Sequence, residues 1–190
     1  MATREQLQRL AALAPLALAC EAATGCPAAL QLAQWCFESA WGERAPGNNC
    51  FGIKAHSGAA FQLVPSTEWF TKAEVTGFLQ HDPRRTAIEK RDAAGNVQKN
   101  GTRTLYSTLD AFAAYPTMAD CFADHARLLT GGLYEKAWEA FQADGNVERF
   151  VRAIGPIYAT QPGYAEQMLA QRRAPSIVNA LAAARPKVVT

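Results

Sequence analysis

Residues 32–55 read LAQWCFESAWGERAPGNNCFGIKA, an apolar helical run that ends in a glutamate and is followed by a turn rich in glycine and asparagine. The run begins after Pro27, which suits the first position of a helix, and Gly42 is the first residue typical of a helix end. We therefore predict one helix from Pro27 to Gly42, followed by a turn and a short strand at FGIKA.

Glu38 stands between two tryptophans in this run, and the spacing of three puts Trp35, Glu38 and Trp41 on one side of the predicted helix. Indole rings exclude water from a carboxylate and a helix C-terminus adds negative potential, so both raise the pKa of Glu38. A carboxyl group that stays protonated near neutral pH can act as a general acid. The alternative is a helix-end glutamate that pairs with Arg44.

Composition limits the class of protein. The chain has 190 residues, 49% of them hydrophobic and 19% charged, which suits one globular domain. A net charge of +2 is too small to indicate nucleic-acid binding. The five cysteines form no CxxC pair or zinc-type spacing, and their odd number argues against a complete disulfide framework, so we expect small buried side chains. We expect no metal or organic cofactor.

The N-terminal stretch LAALAPLALAC has two interpretations. It is short and apolar like the central region of a signal peptide, but Glu5 and Pro15 weaken that interpretation. Thr3 and Gln6 form a capping-box pattern, which favours a first amphipathic helix up to Gly25. We expect this helix, and we expect no membrane span, because no apolar stretch approaches about 20 residues.

Helical patterns flank a middle region of different character. From 51 to 115, short apolar segments alternate with turn signals, which predicts a small antiparallel sheet with one helix opened by Thr71 and Glu74. We therefore predict an α+β protein with a mainly helical lobe, a small β lobe and a cleft between them. The expected organisation is a catalytic domain at 1–172 and a C-terminal helical extension at 173–190.

The string ESAWG, followed by APGNN and FGIKA, closely resembles the signature of the bacterial glucosaminidases of glycoside hydrolase family 73. This group includes the C-terminal domain of the flagellar rod hydrolase, and its typical pattern is AQ-ALESGWG followed by PGNNLFGIK. PSTEWF resembles the family's TxEY segment, AFAAYPTMADCFADHARLL resembles FRAYxSxxESFxDYAxLL, and IGPIYATQPGYAEQML resembles AGYATDPxYAxKL. The resemblance covers roughly residues 5–172.

The resemblance implies a lysozyme-like fold and hydrolysis of the β-1,4 bond after N-acetylglucosamine in peptidoglycan. It assigns the catalytic acid to Glu38, the second carboxylate to Glu68 and a tyrosine at the catalytic cleft to Tyr158. Ala113 and Gln161 depart from the family pattern, which often has Arg and Asp there. The stretch after Glu68 is also longer than usual, which leaves three other carboxylates as substitutes: Glu74, Glu89 and Asp92.

Side chains that could contact sugar surround these positions. Asn48 and Asn49 are expected to form the turn, and their amides could also bond sugar groups. The candidate aromatic platforms, most of which we expect in the core, are Trp41, Trp69, Tyr115, Tyr134, Trp138 and Tyr164.

Two rival functions stay open at this stage. One is a muramidase or lytic transglycosylase on the same fold, and the other is a non-catalytic peptidoglycan-binding or assembly module. The expected partner is the glycan strand of peptidoglycan, in the periplasm or cell wall. Because we see no convincing signal peptide, we expect release by phage lysis or by a dedicated secretion system, with an export apparatus or an immunity protein as further partners.

Overall fold

The computed structural model describes residues 2–56, 58–159 and 161–186. Within these residues the chain forms two compact units. Unit 1 is built from the described parts of Met1–Phe51 and Tyr115–Thr190, and unit 2 is built from those of Gly52–Ala114.

The elements of the described residues are, in chain order, α1 (Arg4–Thr24), α2 (Ala28–Glu38), β1 (Phe61–Phe70), α3 (Lys72–His81), β2 (Thr86–Glu89), β3 (Lys99–Asn100), β4 (Arg103–Ala113), α4 (Met118–Leu129), α5 (Glu135–Asp144), α6 (Val147–Tyr158), α7 (Tyr164–Arg172) and α8 (Pro175–Ala184). Short 3-10 turns lie at Pro46–Asn48 and Gly132–Tyr134. The mainly helical unit 1 and the small sheet of unit 2 confirm the predicted α+β, lysozyme-like fold class.

The first helix begins and ends where the sequence predicts. The Thr3 hydroxyl accepts the Gln6 N–H at 3.2 Å, and the Gln6 side chain accepts the Thr3 N–H at 2.9 Å, which completes the capping box. Gly25 ends the helix with a φ of 77°, in the left-handed region that favours glycine. One face of α1 is buried through Leu10, Ala14, Ala17 and Cys20, so the predicted amphipathic helix is part of the core of unit 1.

The second helix ends earlier than predicted, at Glu38 rather than Gly42. The Ser39 hydroxyl donates to the Trp35 carbonyl at 2.6 Å, beside the helical bond from the Ser39 N–H. The same hydroxyl accepts the Gly42 N–H at 2.8 Å, which would bond the Glu38 carbonyl if the helix continued. This competition from a serine side chain is the physical reason for the early end.

Trp41 therefore lies beyond α2, and the prediction that it shares a helix side with Trp35 and Glu38 is wrong. Ala40 and Trp41 have φ of 49° and 60°, which carry the chain out of the helix before Gly42. The two indoles still meet, edge to face, with ring centroids 6.3 Å apart. Trp35 is 1% exposed, and its ring lies so close to Gly42 that a Cβ there would come within 2.8 Å of it.

Helices α1, α7 and α8 pack against α2, while α4 packs against α1, and α6 packs against α5 and α7. The fully buried side chains of unit 1 include Leu30, Leu32, Phe122, Leu129, Phe150 and Ile154. α6 continues through Pro156 to Tyr158, past the Gly155-Pro156 pair that is typical of a helix end. The predicted C-terminal helix is present as α8, whose Ile177 and Leu181 are buried.

Unit 2 is an antiparallel sheet with strand order β1-β4-β2 and with β3 paired to β4. Phe70 of β1 packs against Phe78 of α3, with ring centroids 5.3 Å apart. Asp110 of β4 is buried and pairs with Arg85 at 2.6 Å and with Lys54. The predicted antiparallel sheet and the Thr71-capped helix are confirmed. The predicted strand at FGIKA is wrong, because this segment makes only an isolated bridge between Lys54 and Phe112.

Within the described residues, none of the helices combines the length and the apolar character that a membrane span needs.

Candidate active site

Glu38 is the last residue of α2, and its side chain is half-buried. The Tyr164 hydroxyl donates to Glu38 Oε1 at 2.9 Å. Burial raises the pKa of Glu38, and the hydrogen bond from Tyr164 offsets part of that rise because it stabilises the carboxylate. The position at a helix C-terminus acts in the same direction as burial. The raised pKa keeps more of this group protonated toward neutral pH than for an exposed glutamate.

The hydrogen bond to the Glu38 carboxylate comes from a tyrosine. The sequence predicts shielding of Glu38 by Trp35 and Trp41, and the structure shows these two indoles packed against each other. Trp41 lies beyond the end of α2, and Tyr164 of α7 donates the hydrogen bond to the acid.

A buried glutamine holds this tyrosine. The Gln34 Nε2 group donates to the Tyr164 hydroxyl at 3.1 Å, and Gln34 is 0% exposed. Gln34 lies four residues before Glu38 on α2, so both side chains lie on the same face of the helix. The hydrogen bonds therefore run from Gln34 to Tyr164 to Glu38. Sequence reasoning missed Gln34, although a glutamine inside an apolar helical run, one turn before a candidate acid, is a usable signal.

Tyr164 itself is 3% exposed, so the prediction of a sugar platform at this position is wrong. Its ring has no open face for stacking, because Tyr158 lies parallel to it with centroids 5.6 Å apart and Phe37 meets it edge to face. Its contribution to the site is the hydroxyl hydrogen. Burial raises the pKa of Tyr164, which keeps the hydroxyl a donor.

Tyr158 lies at the end of α6 and is half-buried beside Tyr164. Its hydroxyl donates to the Phe51 carbonyl at 3.3 Å, and burial raises its pKa well above the usual range. A Cβ on Gly155 would lie 2.9 Å from the Ala165 Cβ, so glycine permits the close approach of α6 and α7 that stacks the two tyrosines. The structure thus brings Glu38, Tyr158 and Tyr164 together in unit 1.

His125 of α4 lies beneath this group. Its ring stacks on Phe51 with centroids 3.7 Å apart and meets Tyr158 edge to face at 5.9 Å. The histidine is 0% exposed, and burial lowers its pKa to about 3. Neither ring nitrogen has a hydrogen-bond partner among the described residues, so the imidazole is neutral.

The turn after α2 has the structural role that the sequence predicts. Gly47 and Asn48 have φ of 57° and 58°, and the Asn48 Nδ2 group donates to the carbonyls of Tyr115 at 2.9 Å and Pro116 at 3.2 Å. Asn49 is 4% exposed, which leaves little of its amide for a sugar.

The remaining aromatic candidates divide by exposure. Tyr134 and Trp138 are 6% and 8% exposed and belong to the core. The Tyr115 hydroxyl donates to Asp124 at 2.6 Å. Trp41 is partly exposed and lines a cavity of about 460 Å³ in unit 1 with Phe37 and Gln171, while Trp69 of unit 2 is 39% exposed.

Glu68 lies on β1 in unit 2 and is exposed, and the Ser66 hydroxyl donates to its Oε1 at 2.8 Å. Glu68 of β1 and Glu89 of β2 lie on either side of β4, each directly opposite Tyr106 in the strand register. Residues directly opposite each other point to the same side of a sheet, so the two carboxylates lie on the same face.

The other substitutes for Glu68 have structural partners. Glu74 accepts the Thr71 N–H at 2.7 Å, and hydrogen bonds from Thr71 together with the nearby Arg103 lower its pKa. Asp92 accepts the Ala94 and Asn96 N–H groups at 2.9 Å, and these backbone bonds lower its pKa. Among the residues that the structure describes, Glu68 accepts only the Ser66 hydroxyl, Glu89 lies 3.9 Å from Arg91, and neither carboxylate caps a helix or a turn. These two are therefore the better candidates for a second carboxylate. In the described part of the chain, His, Cys, Asp and Glu form no group of three or more that could hold a metal ion.

Comparison with solved structures shows the same fold in three bacterial proteins. A peptidoglycan hydrolase mutant from Sphingomonas sp. A1 superimposes with a TM-score of 0.60 at 22% identity, covering 93% of this chain and 99% of that one. The catalytic domain of the autolysin Auto from Listeria monocytogenes gives 0.61 at 20% identity over 96% and 89%. The FlgJ glycoside hydrolase domain from Salmonella typhimurium gives 0.57 at 22% identity over 88% and 95%.

No curated protein sequence matches the chain. The family model described as glucosaminidase, mannosyl-glycoprotein endo-beta-N-acetylglucosaminidase, matches residues 14–173. This match spans most of the chain, and the protein therefore belongs to the glucosaminidase family.

Proposed function

We propose that the protein is a peptidoglycan hydrolase, an endo-β-N-acetylglucosaminidase that cleaves the β-1,4 bond after N-acetylglucosamine with Glu38 as general acid. One observation carries the proposal: the Glu38 carboxyl is half-buried, has a raised pKa and accepts a hydrogen bond from the Tyr164 hydroxyl. Membership of the glucosaminidase family supports the sugar specificity. Peptidoglycan as substrate follows from the names of the proteins that share the fold.

In the proposed reaction, the Glu38 carboxyl gives its proton to the glycosidic oxygen as the bond from C1 to that oxygen breaks. Positive charge develops on C1 and the ring oxygen. Water then adds to C1, and its proton goes to a base. The Tyr164 hydroxyl stabilises the carboxylate that Glu38 becomes, and Gln34 keeps this hydroxyl oriented.

We propose Glu68 as the carboxylate that steadies the developing charge or accepts the water proton. Its carboxyl is exposed and accepts one side-chain hydrogen bond, from Ser66, whereas Glu74 and Asp92 accept backbone N–H groups. Tyr158 is proposed to line the site as a neutral phenol whose hydroxyl donates to the Phe51 carbonyl and whose ring stacks on Tyr164. Trp41 and Trp69 are the proposed sugar contacts with exposed ring surface.

A lytic transglycosylase or muramidase is the second candidate. The observation that favours it is the contrast between Glu38, a half-buried acid with a raised pKa, and Glu68, a carboxylate that is exposed on a strand. A transglycosylase works with one acid alone, since a hydroxyl of the substrate replaces water.

Analysis of the new chain ends distinguishes these reactions. Purified peptidoglycan is digested, reduced with borohydride and examined by mass spectrometry. The proposal requires reduced N-acetylglucosamine at the new ends. Reduced muramic acid would assign a muramidase, an anhydro end would assign a transglycosylase, and binding without any cleavage would assign a non-catalytic module.

We propose the periplasm or cell wall as the place of action, because peptidoglycan lies there. Release by phage lysis or by a dedicated secretion system is proposed as the route. Intact-mass measurement of the protein from its native host, inside cells and in the medium, tests this route.

A further inference from the structure

Two of the five cysteines lie side by side in unit 1. Cys50 follows the turn after α2, Cys121 lies in the first turns of α4, and their Sγ atoms are 3.5 Å apart. They are 1% and 0% exposed. Both are free thiols, since a disulfide joins its sulfurs at about 2.05 Å. A separation of 3.5 Å is van der Waals contact, so small side-chain rotations suffice to bring the sulfurs to bonding distance.

The other three cysteines have different surroundings. The Cys20 thiol donates to the Phe122 carbonyl at 3.4 Å and lies 4.0 Å from the Thr24 hydroxyl. Cys26 and Cys36 are buried, and burial raises the pKa of each thiol. Among the described residues, the sulfur-to-sulfur contact is that of Cys50 and Cys121.

We propose that Cys50 and Cys121 form a disulfide when the chain folds in an oxidising compartment. The oxidant is a disulfide of low molecular mass or of a thiol oxidoreductase. One protein thiolate attacks that disulfide and releases a thiol, which leaves a mixed disulfide. The second protein thiolate then attacks the protein sulfur and releases the second thiol, so two protein thiols are oxidised and one external disulfide is reduced.

The position of this pair gives the bond a structural consequence. The chain passes from unit 1 to unit 2 after Phe51 and returns at Tyr115. The return point is held on α4 by the hydrogen bond from the Tyr115 hydroxyl to Asp124. Cys121 lies one turn before Asp124 on the same helix. The disulfide would therefore also attach Cys50, next to the residue at which the chain leaves unit 1, to α4.

The bond also closes a long loop. Cys50 and Cys121 are 71 residues apart in sequence, and all of unit 2 lies between them. A crosslink across a long loop restricts the unfolded chain strongly, so the oxidised protein is expected to unfold at a higher temperature than the reduced protein. The carbonyl of the next residue, Phe51, accepts the Tyr158 hydroxyl, which places the crosslink beside the proposed site.

The test refolds the full chain from denaturant in a buffer of oxidised and reduced glutathione, because refolding exposes every thiol to the oxidant. The product is unfolded again, alkylated with N-ethylmaleimide without reductant, and weighed by intact-mass spectrometry. Of the five thiols in the sequence, three are expected to be alkylated, and a linked peptide pair containing Cys50 and Cys121 is expected after proteolysis. A reduced control takes up the maleimide at every cysteine.

Variants separate this pair from random oxidation. Cys36→Ala is the control and is expected to keep the linked pair. In Cys50→Ala and in Cys121→Ala, all remaining thiols should react with the maleimide. These two variants should also show the same Tm in oxidised and reduced samples. Complete alkylation of the refolded wild type, stable glutathione adducts, or a linked pair that includes Cys20, Cys26 or Cys36 would overturn the proposal. None of these measurements depends on hydrolytic activity, so the result is independent of the proposed function.

Discussion

Tyr164 and Glu38 are 126 residues apart in the sequence, yet the phenol hydroxyl of one donates to the carboxylate of the other at 2.9 Å. Helix α7 supplies the donor at its first residue and α2 supplies the acceptor at its last. This bond and the burial around it act in opposite directions on the pKa of Glu38, and burial is the larger effect. Removing the carboxyl or the hydrogen bond should therefore change the reaction in different ways.

Glu38→Gln is expected to lower hydrolysis of purified cell walls by about 10²- to 10⁴-fold, because the amide cannot protonate the glycosidic oxygen. The fold should be retained. Burial raises the folded-state pKa of Glu38, so its contribution to stability is lost as pH rises through that pKa. The glutamine avoids this loss, and thermal unfolding should show a variant at least as stable as the wild type at neutral pH.

Glu43→Gln is the matched control, since Glu43 is exposed and lies five residues further along the same segment. It should keep wild-type turnover. Activity of Glu38→Gln within a few-fold of the wild type would refute the assignment of the acid.

Tyr164→Phe removes the hydroxyl that stabilises the Glu38 carboxylate and leaves the ring in place. The hydrogen bond lowers the pKa of Glu38, so its loss should raise that pKa further and move the alkaline limb of the pH–activity profile to higher pH. A fall in kcat of about 10- to 100-fold is expected as well, because the acid is no longer held in place.

The buried Tyr134, whose ring lies near Tyr158, provides the control for Tyr164→Phe. Tyr134→Phe should leave the alkaline limb unchanged. A purely structural role of the Tyr164 hydroxyl would lower activity in proportion at every pH, and that outcome would exclude the effect on Glu38.

Local signals predicted much of the fold. The capping boxes at Thr3 and Thr71 each place a helix start correctly, because the pattern depends on residues within one turn. Helix ends were less predictable. The Ser39 hydroxyl ends α2 before Gly42, and Pro156 is tolerated inside α6, since both outcomes depend on packing and hydrogen bonds that a local pattern does not contain.

The site was predictable only in part for the same reason. The family signature identifies Glu38 by its immediate neighbours. The partner of Glu38 comes from α7, and its identity depends on how two helices distant in sequence pack at Gly155 and Ala165. Tyr164 was therefore predictable as a residue of the site, but its hydrogen bond to Glu38 was not.

The second carboxylate is tested by three substitutions in unit 2. Glu68→Gln should lower kcat much more than it weakens substrate binding, because its charge is needed mainly in the transition state. Glu89→Gln is the matched comparison, since Glu89 pairs with the same residue of β4, Tyr106, from the other side. Glu74→Gln should retain activity and lose some stability, because Glu74 caps α3.

Normal turnover of Glu68→Gln together with a collapse in Glu89→Gln would move the role to Glu89. Normal turnover of both, with anhydro ends in the digest, would favour the transglycosylase.

His125 makes the stability of the protein sensitive to acid. Burial lowers the pKa of His125 to about 3, from the ordinary value of about 6.5 for an exposed histidine. Below about pH 6.5 the unfolded chain therefore binds a proton that the folded chain does not. A group with a depressed folded-state pKa contributes stability that is present above the unfolded pKa and is lost as pH falls toward the folded value. The expected loss is about 1.4 kcal/mol for each pH unit within this window.

His125→Leu removes this titration and also the two unpaired ring nitrogens, at the cost of the stacking on Phe51. Urea unfolding at about pH 8 and about pH 4.5 measures both effects. From the higher to the lower pH, the free energy of unfolding should fall by roughly 2–3 kcal/mol more in the wild type than in the variant. His81→Gln, at the exposed end of α3, is the control and should leave the difference between the two conditions unchanged. An equal dependence on pH in the wild type and in His125→Leu would show that the imidazole is protonated in the folded protein and that a partner for it exists in solution.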